Sequence, residues 1–259
     1  MIFTNDISPV LFSAGPVEVR WYGLFFATGL ALNYLLLTWL FKKEKHPQGD
    51  LDSMVIYLFI GLVVGARLGE VLFYDPSYFF NNPLDIFKIW EGGLSSHGAT
   101  IGLLTAYLIW LKVHEIKFSK YADLLVLPIP LTAAFVRLGN FFNSEIVGLP
   151  TDGNFGVVFR KLGEDFPRHP AQLYEGILLL IIFPILFFTY KKYYHKAKPL
   201  FFLFLFLALY FGGRFITEFW KDLQGPIENL PITMGQLLSS IPLAIALIYF
   251  AGYGKWRKA

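Results

Sequence analysis

The chain has 259 residues, of which 55% are hydrophobic and only 16% charged, against roughly 25% charged in an ordinary soluble domain. Its mean hydropathy is +0.52 and it carries 28 Phe and no Cys, which excludes a soluble globular enzyme, a disordered chain, a disulfide scaffold and a thiolate metal site. A formal charge of +3 is too small to point to nucleic acid, and the reading that remains is a polytopic membrane protein.

A helix needs about 20 apolar residues to cross the hydrocarbon layer. Seven stretches are read as spans: Trp21–Phe41, Leu51–Tyr74, Gly98–Val113, Tyr121–Phe142, Leu173–Tyr190, Leu200–Trp220 and Met234–Tyr253. The third is short, and Pro128 and Pro130 are expected to kink the fourth. The first lacks the short apolar core and small-residue cleavage site of a signal peptide and is read as retained. No internal repeat and no low-complexity tract interrupts the series. The expected fold class is therefore an all-α polytopic membrane protein of seven transmembrane helices. It forms a single integral membrane domain over 1–259, with a small head at 143–172 between the fourth and fifth helices.

Orientation follows from the loop charges. One side carries 13 Lys and Arg, among them Lys42, Lys43, Lys45, Lys112, Lys117, Lys120, Lys191, Lys192, Lys255, Arg257 and Lys258, and the other carries 5, Lys88, Arg160, Lys161, Arg168 and Lys221. The richer side is expected to be cytoplasmic. The N-terminus and the Asn143–Gln172 head then face outward, and the C-terminus faces inward.

Arg20 sits where a side chain can snorkel to the interface. Arg67, Arg137 and Arg214 lie inside or at the ends of apolar segments, where a charge costs at least about 2.5–3.5 kcal/mol. The fourth helix ends in Arg137-Leu-Gly-Asn140-Phe-Phe-Asn143-Ser-Glu145-Ile-Val-Gly148; Arg137 and Asn140 share a face there, and Gly139 leaves room for close approach. The sixth puts Tyr210, Arg214 and Glu218 on one face at i, i+4 and i+8. Two guanidinium forks at one depth suit a phosphate or carboxylate. The plainer alternative is a pair of structural ion pairs, Arg137 with Glu145 and Arg214 with Glu218.

A Gly-rich approach, Glu91-Gly-Gly-Leu-Ser-Ser-His97-Gly, leads into the third helix. An imidazole at that point is a candidate general base, or else a helix-end residue bonded to a carbonyl. Gly61, Gly65 and Gly69 form a stripe suited to helix packing; Arg67 and Glu70, three apart, are placed to pair locally. Glu175, one turn inside the fifth helix, needs a partner. No spacing typical of a metal or nucleotide site occurs, so no cofactor and no metal are expected.

With these residues laid out, the chain resembles the bacterial prolipoprotein diacylglyceryl transferases. The signature R-x-G-N-F-x-N-x-E-x-x-G stands as Arg137–Gly148. Around it, in order, stand Arg20-Trp-Tyr22-Gly, Gly65-Ala-Arg67-Leu-Gly, His97-Gly, His169-Pro-Ala-Gln-Leu-Tyr-Glu175, Gly213-Arg214-Phe-x-x-Glu218 and Met234-Gly-Gln236. Val136 departs from the family's Gly before the signature Arg, and Glu70 stands where an aromatic or polar residue is expected.

The resemblance implies transfer of the diacylglyceryl group of phosphatidylglycerol to the lipobox Cys thiol of a preprolipoprotein, in a bacterial cytoplasmic (inner) membrane and toward its outer side. The partners are then phosphatidylglycerol, the lipobox peptide and membrane lipid. The implied catalytic residues are His97, Arg137 and Arg214. Tyr22, Arg137, Asn140, Glu145, Gly148, Tyr210, Arg214 and Glu218 are the implied substrate-binding residues, with Gly148 at a turn no side chain can occupy. The rival readings are an anion or lipid transporter built on the same Arg pair, against which the missing repeat counts, and a hydrolase using Ser96 and His97.

Overall fold

The computed structural model describes residues 1–15, 17–89, 92–222 and 232–253; Glu91, Lys255, Arg257 and Lys258 of the sequence reading lie outside them. In chain order the elements are β1 (Ile2–Asn5), β2 (Val10–Ala14), β3 (Val17–Arg20), α1 (Trp21–Lys43), α2 (Gln48–Gly69), α3 (Pro76–Asn81) and α4 (Ser96–Val113). There follow α5 (Ala122–Leu125), α6 (Ile129–Asn143), β4 (Gly156–Phe159), α7 (Ala171–Tyr193), α8 (Phe201–Thr217) and α9 (Met234–Tyr253). A π-helical turn, Glu70–Tyr74, continues α2.

Among the described residues, six helical segments are long and apolar enough to cross a membrane: Trp21–Lys43, Gln48–Tyr74, Ala122–Asn143, Ala171–Lys196, Phe201–Trp220 and Met234–Gly252. The sequence reading expects seven. The third stretch does form a helix, α4, but its 18 residues include Ser96, His97 and Lys112, and it is not among those six. The fourth stretch is not one continuous helix. It breaks between α5 and α6, where Pro128 immediately precedes α6 and Pro130 occupies its first turn, positions that proline tolerates because no helical N–H is needed there.

The fold is mostly helical, yet not wholly so: β1 pairs in parallel with β4, and β2 with β3 antiparallel. Strands of four or five residues are too short to stand out by periodicity in so apolar a chain. The segment Ile2–Asn5 thereby joins Gly156–Phe159 of the 143–172 stretch. Asn5, fully buried, donates from Nδ2 to the Phe141 carbonyl at 2.9 Å. Below the strands, Phe141, Val157 and Phe159 form a small core with Phe142, Val147 and Leu173.

The chain divides into two compact units, one of Met1–Leu37 with Ala122–Ala259, the other of Thr38–Tyr121. In the first, α6 packs on α7, α7 on α8 and α8 on α9. Asp123 of α5 caps α8 from outside it, accepting from the Leu200 and Leu203 amides at 2.7 and 2.9 Å; these are amides a helix cannot satisfy itself.

In the second unit α2 lies on α4 with backbones in contact. A Cβ placed on Gly61, Gly65 or Gly69 would collide with Gly98, Gly102 or their neighbours, so the glycine stripe is a packing face, as its spacing predicts. Trp110 and Tyr121 close the unit's far end. Trp110 donates to Ser53 Oγ at 2.9 Å, and the Tyr121 hydroxyl donates to Asp50.

Candidate functional site: a buried ion cluster on three helices

Arg137 projects from α6 one turn before the helix ends. Ser144, at φ 58°, stops the helix there in the left-handed conformation. The chain then turns back so that Glu145 reaches the same face. Arg137 Nη1 donates to Asn140 Oδ1 at 3.2 Å, and Asn140 Nδ2 donates to Glu145 Oε2 at 3.2 Å. Asn143 Nδ2 holds the other oxygen of Glu145 at 3.0 Å. Gln172, at the head of α7, donates to the Glu145 carbonyl at 2.5 Å. Gly139 is required by space: a side chain there would strike Tyr22 of α1.

The ion pairs expected from sequence spacing are not the ones formed. Arg137 Nε meets Glu175 Oε2 at 2.5 Å rather than Glu145. Lys221 Nζ meets Glu175 Oε1 at 3.0 Å and Glu218 Oε2 at 3.3 Å. Arg214 Nη1 donates to the Tyr210 hydroxyl at 3.3 Å, one turn back on α8, and forms no salt bridge with Glu218 among the described residues. Glu175 is only 2% exposed and Lys221 7%. The partner that Glu175 needs is thus double, a guanidinium and an ammonium. Sequence reading counts Lys221 merely as an outer-loop cation, although its place three residues after Glu218 is the signal that was there to be used.

The donors of the two guanidinium groups are largely unspent. Among the described residues, Arg137 Nη2 and Arg214 Nε and Nη2 have no acceptor. Three cations, Arg137, Arg214 and Lys221, stand with two carboxylates, Glu175 and Glu218, which leaves one positive charge in excess among these five; Glu145 is exposed, forms no salt bridge among the described residues and reaches Arg137 through Asn140.

Glu218 lies against the first turn of α9. A side chain on Gly235 would collide with its carboxylate, and that turn is closed by a reciprocal cap, Gln236 N to Thr233 Oγ1 at 3.1 Å and Thr233 N to Gln236 Oε1 at 3.0 Å. The Met234-Gly-Gln236 motif is therefore a capping box with room for an anion.

No side chain could occupy Gly148, as expected, although its φ is not left-handed. It is needed because three backbone segments meet there: its N–H donates to the His169 carbonyl at 2.9 Å, Leu149 N donates to the Trp220 carbonyl at 2.9 Å, and Gly148 bridges to Lys221. Beside it Arg168 clamps the head. Its Nε and Nη2 bind the two Glu164 oxygens at 2.5 and 2.6 Å, and its Nη1 reaches the Gly148 carbonyl at 3.1 Å and Asp222 at 2.8 Å. The fork's hydrogen bonds hold the Glu164 carboxyl below the usual carboxylate range.

His97 belongs to the other unit. It is the second residue of α4, its ring exposed, with Nδ1 3.2 Å from the Tyr74 hydroxyl that the π turn presents. The neighbouring Ser95 caps α4 by accepting from the Gly98 amide at 3.1 Å. Among the described residues no serine hydroxyl bonds the His97 ring, which removes the geometric basis of a Ser–His hydrolase. Arg67 does not pair with Glu70. It donates instead to the carbonyls of Asp85, Ile86, Gly92 and Gly93 at 2.5–2.9 Å.

The family model for prolipoprotein diacylglyceryl transferase matches residues 9–252. The phosphatidylglycerol–prolipoprotein diacylglyceryl transferase of Tolumonas auensis is 47% identical over 250 residues, 95% of each chain. Its namesake from Chloroherpeton thalassium is 40% identical over 248 residues, covering 94% of this chain and 92% of its own. That of Bacteroides fragilis is 37% identical over 262 residues, 96% of this chain and 94% of its own. The chain belongs to the prolipoprotein diacylglyceryl transferase family and is a membrane transferase.

Proposed function

We propose that this protein transfers the diacylglyceryl group of phosphatidylglycerol to the lipobox cysteine of preprolipoproteins. The observation that carries the reading is the pair of guanidinium groups with unspent donors in a buried cluster holding one excess positive charge. Such a cluster matches the single negative charge of a phosphodiester headgroup.

In this reaction the substrate thiolate forms an S–C bond to the terminal glyceryl carbon. The C–O bond to phosphate breaks, its electron pair stays on the phosphate oxygen, and glycerol phosphate leaves beside a thioether. Arg137 and Arg214 stabilise the charge that gathers on the leaving oxygen. Asn140 and Glu175 orient the Arg137 guanidinium, and Asn140, Glu145 and Glu218 bind the glycerol hydroxyls. Tyr22 and Tyr210 add hydroxyls at the lipid boundary, and Gly148 shapes the backbone beside them.

His97 takes the thiol proton. Imidazole exchanges protons near neutral pH, and with Nδ1 engaged by Tyr74 the ring's Nε2 is left to act. The protein works as a single integral domain of the bacterial cytoplasmic membrane, its Asn143–Gln172 head outward, which the 13-to-5 loop-charge asymmetry supports.

Purified protein given labelled phosphatidylglycerol and a lipobox peptide is expected to yield the thioether peptide; no product would end this reading. Replacing Ser96 by Ala should leave turnover unchanged. The deficit of His97→Ala should shrink as pH rises toward a thiol's own pKa near 8.5, and a constant deficit from about pH 6.5 to 9 would remove His97 from the base role. Cys placed at Asn154 should react with an impermeant thiol reagent in intact cells (outer membrane permeabilised where there is one), whereas Cys at Gln48 should not.

A further inference from the structure

Lys221 has no role in the reaction as written above, yet it is among the most buried cations of the chain and touches both carboxylates of the anion site. Its burial depends on Gly148. The bridge between Gly148 and Lys221 brings the Trp220 carbonyl so close that any side chain at 148 would collide with it. Asp222 N, donating to the Val147 carbonyl at 3.3 Å, completes the pairing on the far side. The backbone at Lys221, extended just past the helical turn Glu218–Trp220, is thereby pinned to the signature loop, with the ammonium pointing between Glu175 and Glu218.

The carboxylates are the reason such an ammonium matters. A buried carboxylate facing a guanidinium tends toward a bidentate pair, which uses two donors of the fork. Here Arg137 gives Glu175 only Nε, and the other oxygen, Oε1, is held by Lys221 at 3.0 Å. Glu218 likewise has Lys221 at 3.3 Å rather than a salt bridge to Arg214. A lysine suits this place because it is a compact charge with three donors and no plane to satisfy. Without it, two guanidinium groups would face two carboxylates, and the excess charge that matches a monoanionic phosphodiester would be gone.

We propose that Lys221 is a positioning residue of the anion site: seated by the Gly148 bridge, it occupies Glu175 and Glu218 so that Arg137 and Arg214 remain available to the lipid phosphate. The proposal rests on the transferase reading, and Gly148 then acts through Lys221 rather than by touching substrate.

The test uses full-length protein in detergent with phosphatidylglycerol and a lipobox peptide. Lys221→Met should lower kcat/KM for the lipid by about tenfold or more, since a buried carboxylate is left without its partner. Lys221→Arg, which keeps the charge, should stay within about threefold of wild type. Lys221→Met combined with Glu175→Gln leaves three charges and restores the single positive excess, and should recover at least about threefold over Lys221→Met alone. Wild-type kcat/KM in Lys221→Met, or a double variant no better than the single, overturns the proposal.

Melting temperatures are measured alongside. Should Lys221→Met not fold, the double variant decides alone: turnover within about tenfold of wild type supports the proposal, and background turnover overturns it. A second arm measures retention of labelled phosphatidylglycerol over phosphatidylcholine. A wild-type preference for the anionic lipid that Lys221→Met loses, in a protein without transfer activity, would refute the transferase reading and leave the positioning role standing. Transfer by wild type with a preference unchanged in Lys221→Met would refute the positioning role alone.

Discussion

Arg67 and Arg137 look alike in the sequence, each a lone cation inside an apolar stretch, yet the two units use them in opposite ways. Arg67 spends its five N–H donors on five backbone carbonyls, those of Asp85, Ile86, Lys88, Gly92 and Gly93, and stacks over Phe79, 4.8 Å from the ring centroid. Nothing of that guanidinium is left for a ligand. Arg137 commits Nε to Glu175 and Nη1 to Asn140 and keeps Nη2. A buried arginine whose donors are all spent on main chain is a fastener, whereas one with donors to spare beside counter-charges that do not neutralise it is built to receive an anion.

The largest effect expected from this contrast is on turnover. Arg137→Lys retains the charge but not the planar fork, and should lose on the order of 10²–10³ in turnover, as for other groups that stabilise developing charge. Arg214→Ala should lose as much at saturating lipid, with a smaller change in lipid affinity, because its benefit grows as the C–O bond breaks. Steady-state kinetics with both substrates varied checks both; near-normal turnover in Arg137→Lys would erase the distinction from Arg67.

Next comes stability. Arg67→Met removes a donor from five carbonyls and should cost about 3 kcal/mol, seen as a lower melting temperature and faster amide exchange at residues 85–89 and 92–95. Arg137→Met should cost less, since Lys221 still faces Glu175. The reverse order would mean that Arg137 is the fastener.

A smaller loss, about 1–2 kcal/mol, is expected for Asp123→Ala, which strips the cap from the α8 amides of Leu200 and Leu203. Its signature is selective: α8 carries Arg214 and Tyr210, so fraying should lower turnover without exposing the 85–93 loop.

The smallest is a pH effect on the head. Arg168 holds the Glu164 carboxyl below its ordinary value, so this pair stabilises the head fully above the unfolded carboxyl's pKa, near 4.3. That contribution is lost as pH falls through the lowered folded value. For a pair at the protein surface it amounts to less than about 1 kcal/mol. Glu164→Gln should abolish the corresponding acid-side slope in melting temperature and lower neutral-pH stability by that same small amount.

Which pairs form was not legible in the spacing. Arg137 and Glu145, or Arg214 and Glu218, lie at helical intervals and invite pairing along one segment. The structure instead joins Arg137 on α6 to Glu175 on α7, and through Lys221 to Glu218 beyond α8. Local spacing fixes which side chains share a face, but a buried charge takes the counter-charge that an adjacent helix brings, and helix adjacency is not written in any one segment.

Composition and hydropathy by themselves determined that the chain lives in a membrane and roughly where its helices run, because lipid leaves the backbone no other way to satisfy its hydrogen bonds. The glycine stripe determined a helix contact, and the isolated arginines marked sites in need of compensation, since both follow from local spacing and local cost. Only the tertiary structure decided that Ile2–Asn5 adds a strand to the head and that Lys221 enters the anion cluster by meeting Glu175. Each of these depends on contacts between residues tens to more than a hundred positions apart, where packing and charge balance, rather than propensity, select the partner.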